Sequence, residues 1–221
     1  MPKTFVIGDI HGCNDLLLQL LDRISPIPPD ARIIFLGDYI DRGPQSKEVV
    51  DTVLRLRKQY PYTITLMGNH ERMLLDYLAD INRERYLHFG GSQTLESYGI
   101  APQEEAKEKI PVEHIRCFNE LILYWEDDKH IFVHAGIEPE VPMALQSEEW
   151  LLWSRDTDSG LSTVTQGKII IYGHSAFKTP HISPEKVGID TGAVYGGNLT
   201  CLVLPDHEFI QVKGEKFWPV G

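Results

Sequence analysis

The chain has 221 residues, 42% of them hydrophobic, enough to bury one full core and too few for two ordinary domains, so residues 1–221 are expected to form a single domain. Acidic residues outnumber basic ones, 32 against 21, for a formal net charge of -11, and the basic residues are scattered apart from Arg55, Arg57 and Lys58; this excludes a nucleic-acid backbone as a standing partner, which needs clustered positive charge. No apolar run approaches the roughly 20 residues of a membrane span, and Met1-Pro2-Lys3-Thr4 leads straight into Phe5-Val6-Ile7 without a leader pattern.

The three cysteines, Cys13, Cys117 and Cys201, are odd in number and lack CxxC spacing, as reduced thiols would be. A cytoplasmic protein with no membrane or nucleic-acid partner is expected.

Short apolar strands are predicted at residues 5–7, 32–36, 63–67, 131–133, 168–172 and 186–189, each rich in Ile, Val or Phe and bounded by Gly, Pro or Asp. Between the first three lie amphipathic helices. Asn14 or Asp15 can cap one that runs to about Ile24, and Ser46 can cap the next, with Val49, Val50, Val53, Leu54 and Leu56 inward. A third helix should follow Asn69 and carry Met73, Leu74, Tyr77 and Leu78. This alternation signals an α/β layer with parallel pairing. Residues of about 80–130 read as a helical insertion or cap, whose charge run at 104–109 is a solvated face. From Glu185 onward, short runs at 187–189, 199–204 and 209–212 suggest an antiparallel meander that finishes a second sheet.

The chemistry sits where these runs stop. Gly8-Asp9-Ile10-His11-Gly12, Gly37-Asp38-Tyr39-Ile40-Asp41-Arg42-Gly43, Gly68-Asn69-His70-Glu71, His134-Ala135-Gly136 and Gly173-His174-Ser175 each follow an apolar strand, and Trp153-Ser154-Arg155-Asp156 has the same flavour without one. Oxygen and nitrogen donors delivered from several strand ends are what a two-metal phosphate-hydrolysing site requires, because each ion must be gripped from different directions. Alone, Asp41-Arg42 is an ordinary surface turn and His134 an ordinary buried histidine; in this ordered series both become site candidates. His88, His114, His130, His181 and His207 lie outside every motif.

With these blocks in order, the chain resembles the phosphoprotein phosphatase family of dinuclear metallophosphoesterases, in its compact bacterial and phage branch, over residues 5 to about 204. The resemblance implies a calcineurin-like sandwich of two mixed β-sheets flanked by α-helices, with the site at strand C-terminal ends. It implies that Asp9 and His11 bind one metal, that Asn69, His134 and His174 bind the other, and that Asp38 bridges both. This nitrogen and oxygen set suits hard or borderline divalent ions, manganese first and iron or zinc next. Two such ions would share a water and present a bridging hydroxide for in-line attack on phosphorus. Arg42 and Arg155, with Asn69, match the residues that grip the phosphate; His70 matches the general acid, and Asp41 the carboxylate that orients it. The run Ile189-Asp190-Thr191-Gly192-Ala193-Val194-Tyr195 resembles the segment closing one side of the cleft.

For substrate, the pattern points to phosphoserine and phosphothreonine in proteins or peptides. The alternative is a relative that cleaves symmetrical dinucleoside tetraphosphates, in which the second aspartate of the Asp38 block is typically alanine and the Asn69 block typically ends in aspartate; here Asp41 and Glu71 stand instead. A nuclease reading lacks a basic groove, and a binding protein with a dead site should have lost a ligand, whereas none is missing.

Overall fold

In β1 (Thr4–Ile7) successive side chains point to opposite faces of a sheet that is covered on both sides: Phe5 and Ile7 pack in one apolar cluster, Val6 in another. β2 (Arg32–Phe35) repeats the pattern, with Ile33 and Phe35 on the first side and Ile34 on the second. The structure, a computed structural model, describes residues 2–101, 104, 106–155 and 162–219. β1 and β2 are parallel, joined through α1 (Asn14–Arg23), and β2 continues in parallel to β3 (Thr63–Thr65) through α2 (Ser46–Gln59). The inward faces of both helices complete the first cluster with Leu17, Leu20, Val49 and Val53.

The second sheet has the order β4 (Tyr124–Glu126), β5 (His130–Val133), β6 (Ile169–Tyr172), β8 (Lys186–Gly188) and β7 (His181–Ile182). Its inner residues Phe132, Ile171 and Val187 meet Val6, Ile34 and Leu36 between the sheets. Its outer residues Ile131, Val133 and Ile170 pack with Leu151 of α8 (Glu148–Trp153). β5, β6 and β8 are mutually parallel, as are β1, β2 and β3. The result is the expected sandwich of two mixed sheets flanked by helices.

Several local expectations need correction. The final strands β9 (Asn198–Leu204) and β10 (Glu208–Lys213) finish the first sheet, not the second: β9 runs antiparallel to β1, with Thr4 opposite Leu204. β9 is buried along almost its whole length because it lies inside its sheet, covered on both faces, whereas a solvent-facing meander would alternate. The helical part of the segment at about 80–130 ends at Asn119. Short helices α4 (Arg83–Tyr86), α5 (Ser92–Ser97), α6 (Ala106–Lys109) and α7 (Val112–Asn119) fill it, with a π-type turn at Leu87–Gly91. By Ile122 the chain is back beside β3, where Met67 N donates to Ile122 O at 2.8 Å. Within the run 104–109, residue 105 lies outside the described residues, and Lys107, Glu108 and Lys109 are exposed. None of the proposed caps holds. Asn14 accepts from the Thr52 hydroxyl at 2.9 Å, the Asp15 carboxylate pairs with the Gln45 amide at 3.1 Å, and Ser46 lies inside α2 with its hydroxyl turned to the Asp41 backbone at 3.0 Å.

Candidate active site

Because β1, β2 and β3 share one direction, and β5, β6 and β8 another, all their C-terminal ends can meet along one edge of the sandwich. The chain leaves β1 through Asp9 and His11, β2 through Asp38, Asp41 and Arg42, and β3 through Asn69 and His70 at the start of α3 (Asn69–Leu78). β5 delivers His134, β6 His174 and β8 Asp190. The two sheets are stitched here: His134 Nδ1 lies 2.9 Å from Leu36 O, and His174 N donates to Asp9 Oδ2 at 3.0 Å.

Asp38 stands at the centre. Its Oδ2 is 3.4 Å from His11 Nε2 and its Oδ1 is 3.4 Å from His134 Nε2. Two groups of donor atoms form around it, His11 with Asp38 and His70, and Asp38 with His134 and His174, each within 4.8 Å. Asn69 Oδ1 joins the second group, 2.9 Å from His134 Nε2 and 3.0 Å from His174 Nδ1. Asp9 falls in neither group; one of its oxygens holds the His174 backbone and the other, Oδ1, is buried without a partner among the described residues. A side chain at Gly173 would put its Cβ 2.1 Å from that oxygen, so only glycine leaves it room.

The donor chemistry fits a bound cation. His11 Nδ1 lies 3.0 Å from Ile40 O and His134 Nδ1 faces Leu36 O, so each ring's proton is used on a backbone carbonyl and each Nε2 offers a lone pair. His134 Nε2 and Asn69 Oδ1 are then two acceptors 2.9 Å apart. Protonating the ring does not resolve this near neutrality, because burial pulls His134 down to about 4 and His174 to about 2. Burial also holds His11 and His70 well below the usual histidine range, helped by the Arg42 charge. The carboxylates shift the other way: burial raises Asp38 to about 7 and Asp190 to about 6, and burial followed by repulsion from Asp190 and Asp38 raises Asp9. Neutral imidazoles facing crowded carboxylates, with no thiolate, are a ligand set for divalent metal.

His70 Nδ1 lies 2.7 Å from Asp41 Oδ2, with both side chains buried, and Nε2 is left as the ring's other nitrogen. Arg42 Nη1 reaches His11 Nε2 at 2.7 Å, and its guanidinium lies 5.6 Å over the Tyr195 ring, placing a cation over the cluster. Arg155 is exposed, and its charge is felt at His174; Asp156, the last residue of its motif, lies outside the described residues. The backbone is held in the left-handed region at His11, Asp38, Asp41, Arg42 and His174, with φ of 47, 51, 72, 69 and 60°. Non-glycine residues rarely adopt it, and such strain clusters at functional sites.

Sequence reasoning gave no role to Tyr86, Thr94 or Arg85, and none of their own to Asp190 and Trp153 within the segments it singled out. Asp190 is buried beside Asp9 and follows β8 as the other site residues follow theirs, which was a usable signal. Tyr86 and Thr94 from the insertion both reach Asp41, and no motif marks them. The Trp153 ring lies 6.4 Å from His174, with the Arg85 guanidinium 4.8 Å over it.

Known proteins agree with this architecture. A relative from Halalkalibacterium halodurans, named asymmetrical bis(5'-nucleosyl)-tetraphosphatase PrpE, is 32% identical, with 96% of this chain and 94% of that protein covered. One of the same name from Anoxybacillus flavithermus is 31% identical over 97% of this chain and 98% of its own. A crystal structure described as a proposed diadenosine tetraphosphatase superimposes with a TM-score of 0.74 at 22% identity, covering 97% of this chain and 96% of the other, a likeness of fold.

These relatives overturn the expectation of a serine/threonine protein phosphatase with phosphorylated proteins or peptides as partners: they are named for dinucleoside tetraphosphates. The residues behind that expectation explain the error. Asp41 and Glu71 are each 0% exposed, and they hold His70 and the Asp38 loop, so they report how the site is braced rather than what enters it. The calcineurin-like phosphoesterase family matches residues 2–201, and the chain belongs to that family of metal-dependent hydrolases.

Proposed function

We propose that this protein hydrolyses dinucleoside tetraphosphates unequally, giving a nucleoside triphosphate and a nucleoside monophosphate. The observation that carries this is the pair of full-length relatives at 31–32% identity that share one name. In the reaction a water oxygen bonds to phosphorus, the phosphoanhydride P–O bond breaks, and a proton ends on the departing phosphate oxygen.

Asp9, His11 and Asp38 would hold one divalent cation and Asp38, Asn69, His134 and His174 a second. The pair, manganese first with iron or zinc as alternatives, supplies Lewis acidity that activates water and offsets phosphoryl charge. The remaining work belongs to the chain. Arg42, held over the cluster, grips the attacked phosphate in a guanidinium fork, and Asn69 and Arg155 add contacts at its flank. His70 keeps its Nδ1 proton on Asp41, and its Nε2 gives a proton to the leaving oxygen from the imidazolium, the form that the adjoining Asp41 carboxylate favours. The buried free thiols Cys13, Cys117 and Cys201 support a reducing compartment such as the cytoplasm.

The test is product analysis. Manganese-loaded protein is incubated with diadenosine tetraphosphate, alongside a chelated control. Equal amounts of ATP and AMP are expected, and only with metal. Two equivalents of ADP would replace the unequal cut by a symmetrical one, and no turnover would remove the substrate class.

A further inference from the structure

Asp41 is enclosed from the side away from His70. Tyr86 Oη donates to its Oδ1 at 2.9 Å and Thr94 Oγ1 donates to the same oxygen at 2.6 Å. The Asp41 backbone N–H is shared between Thr94 Oγ1 at 2.9 Å and Ser46 Oγ at 3.0 Å. A threonine hydroxyl has one proton, and the carboxylate oxygen, the nearer acceptor, takes it; the Ser46 hydroxyl oxygen lies 2.9 Å from Thr94 Oγ1. Asp41, Ser46 and Thr94 are 0% exposed and Tyr86 1%.

The insertion is shaped to reach this point. The turn Leu87–Gly91 crosses the Asp41–Arg42 corner, where Arg42 N donates to Gly90 O at 3.1 Å. A Cβ on Gly91 would lie 2.4 Å from the Tyr86 ring, so this glycine lets the ring lie flat against the turn. The Asp41 backbone is in the left-handed region, which alone would not fix its carboxylate; the two hydroxyls do.

We infer that Tyr86 and Thr94 are positioning residues for the Asp41–His70 pair, so that the helical insertion orients the proton donor as well as covering the core. This rests on the role given to His70 under Proposed function. Two hydroxyls on Oδ1 leave Oδ2 as the oxygen facing the imidazole, and they stop the carboxylate from turning away.

The experiment is a double-mutant cycle in the full-length, metal-loaded protein. Thr94→Val, Thr94→Ser and Tyr86→Phe are made alone and with Asp41→Asn, and kcat and KM are measured on diadenosine tetraphosphate and on bis(p-nitrophenyl) phosphate. Thr94→Val and Tyr86→Phe should each lower kcat by about ten- to a hundred-fold through misplacement of the donor, with KM nearly unchanged. Thr94→Ser should restore most of the loss, and in the Asp41→Asn background neither change should cost more. A second readout needs no turnover. In zinc-loaded protein, the low-field proton signal removed by His70→Asn should exchange faster with water in Thr94→Val and Tyr86→Phe.

Equal losses with and without Asp41, or unchanged kcat and proton signal in both variants, would overturn the positioning role. Full kcat in Asp41→Asn would instead remove the acid assignment and the positioning role with it. Turnover of the nitrophenyl ester alone would remove the dinucleotide reading, with the cycle still measurable on that ester.

Discussion

Glu71 Oε2 accepts the backbone N–H of Asp38 at 2.9 Å, so the carboxylate in the first turn of α3 fixes the loop that brings Asp38 to the centre of the cluster. The same side chain takes Gly68 N at 3.0 Å, Tyr39 N at 2.8 Å and Ile40 N at 3.3 Å. A buried carboxylate meeting this many backbone donors ties β2's loop to the helix that presents Asn69 and His70. Glu71→Ala leaves those donors unpaired, and we expect it to cost about 3 kcal/mol or more. Urea unfolding reads this directly, and metal retention should fall with it. A wild-type midpoint in the variant would show that the loop stands without Glu71.

Asp38→Asn tests the centre of the cluster. Asp38 Oδ1 and Oδ2 face different histidines, each at 3.4 Å, so an amide in its place offers one good acceptor where the site uses two. Bound metal, measured by elemental analysis after gel filtration, and turnover should disappear together. Two retained ions per chain with normal turnover would contradict the shared position of Asp38.

The outcome shows what a sequence carries and what it hides. Every strand that delivers a site residue was legible, because a run such as Phe5-Val6-Ile7 must be apolar on both faces to lie between a helix layer and a second sheet. β4 and β7 were not, because they are short and lie at sheet edges with partly exposed residues, which removes the apolar signal. The partners of Asp41 were illegible for a different reason. Tyr86 and Thr94 lie 45 and 53 positions away in the chain, and a tyrosine or threonine that completes a buried network has the same letter as one that merely packs. Substrate was misread because Asp41 and Glu71 are structural neighbours of the chemistry, hidden from any ligand.

His114 lies outside the candidate metal cluster and gives the helical segment around it a pH dependence. Its ring, with a side chain 1% exposed, bridges Tyr98 Oη at 2.8 Å and Asp51 Oδ1 at 3.1 Å. Burial lowers its pKa, outweighing Asp51 and Glu113, which pull upward, while Lys47 adds to the lowering. As pH falls below about 6.5 the unfolded chain takes up this proton before the folded one does, so the stability His114 contributes is full above that pH and is lost below it. We expect the wild-type urea midpoint to drop more steeply than that of His114→Asn between pH 7.5 and 5.5. Parallel profiles would mean that the ring titrates alike in both states.

Trp153 gives the dinucleotide reading its sharpest test away from the proposed metal ligands. Its indole is only half-buried, edge-on to His174, and carries the Arg85 guanidinium at 4.8 Å; that same cation reaches the exposed Phe89 ring at 5.9 Å. An aromatic face and a guanidinium beside a phosphate-cleaving centre suit a nucleobase and its charged linker, and base–aromatic stacking contributes about 1–3 kcal/mol per base. Trp153→Ala should therefore raise KM for diadenosine tetraphosphate by roughly ten-fold or more while leaving KM for bis(p-nitrophenyl) phosphate within about two-fold. Equal changes on both substrates would mean that Trp153 supports His174 by packing and that the base is held elsewhere.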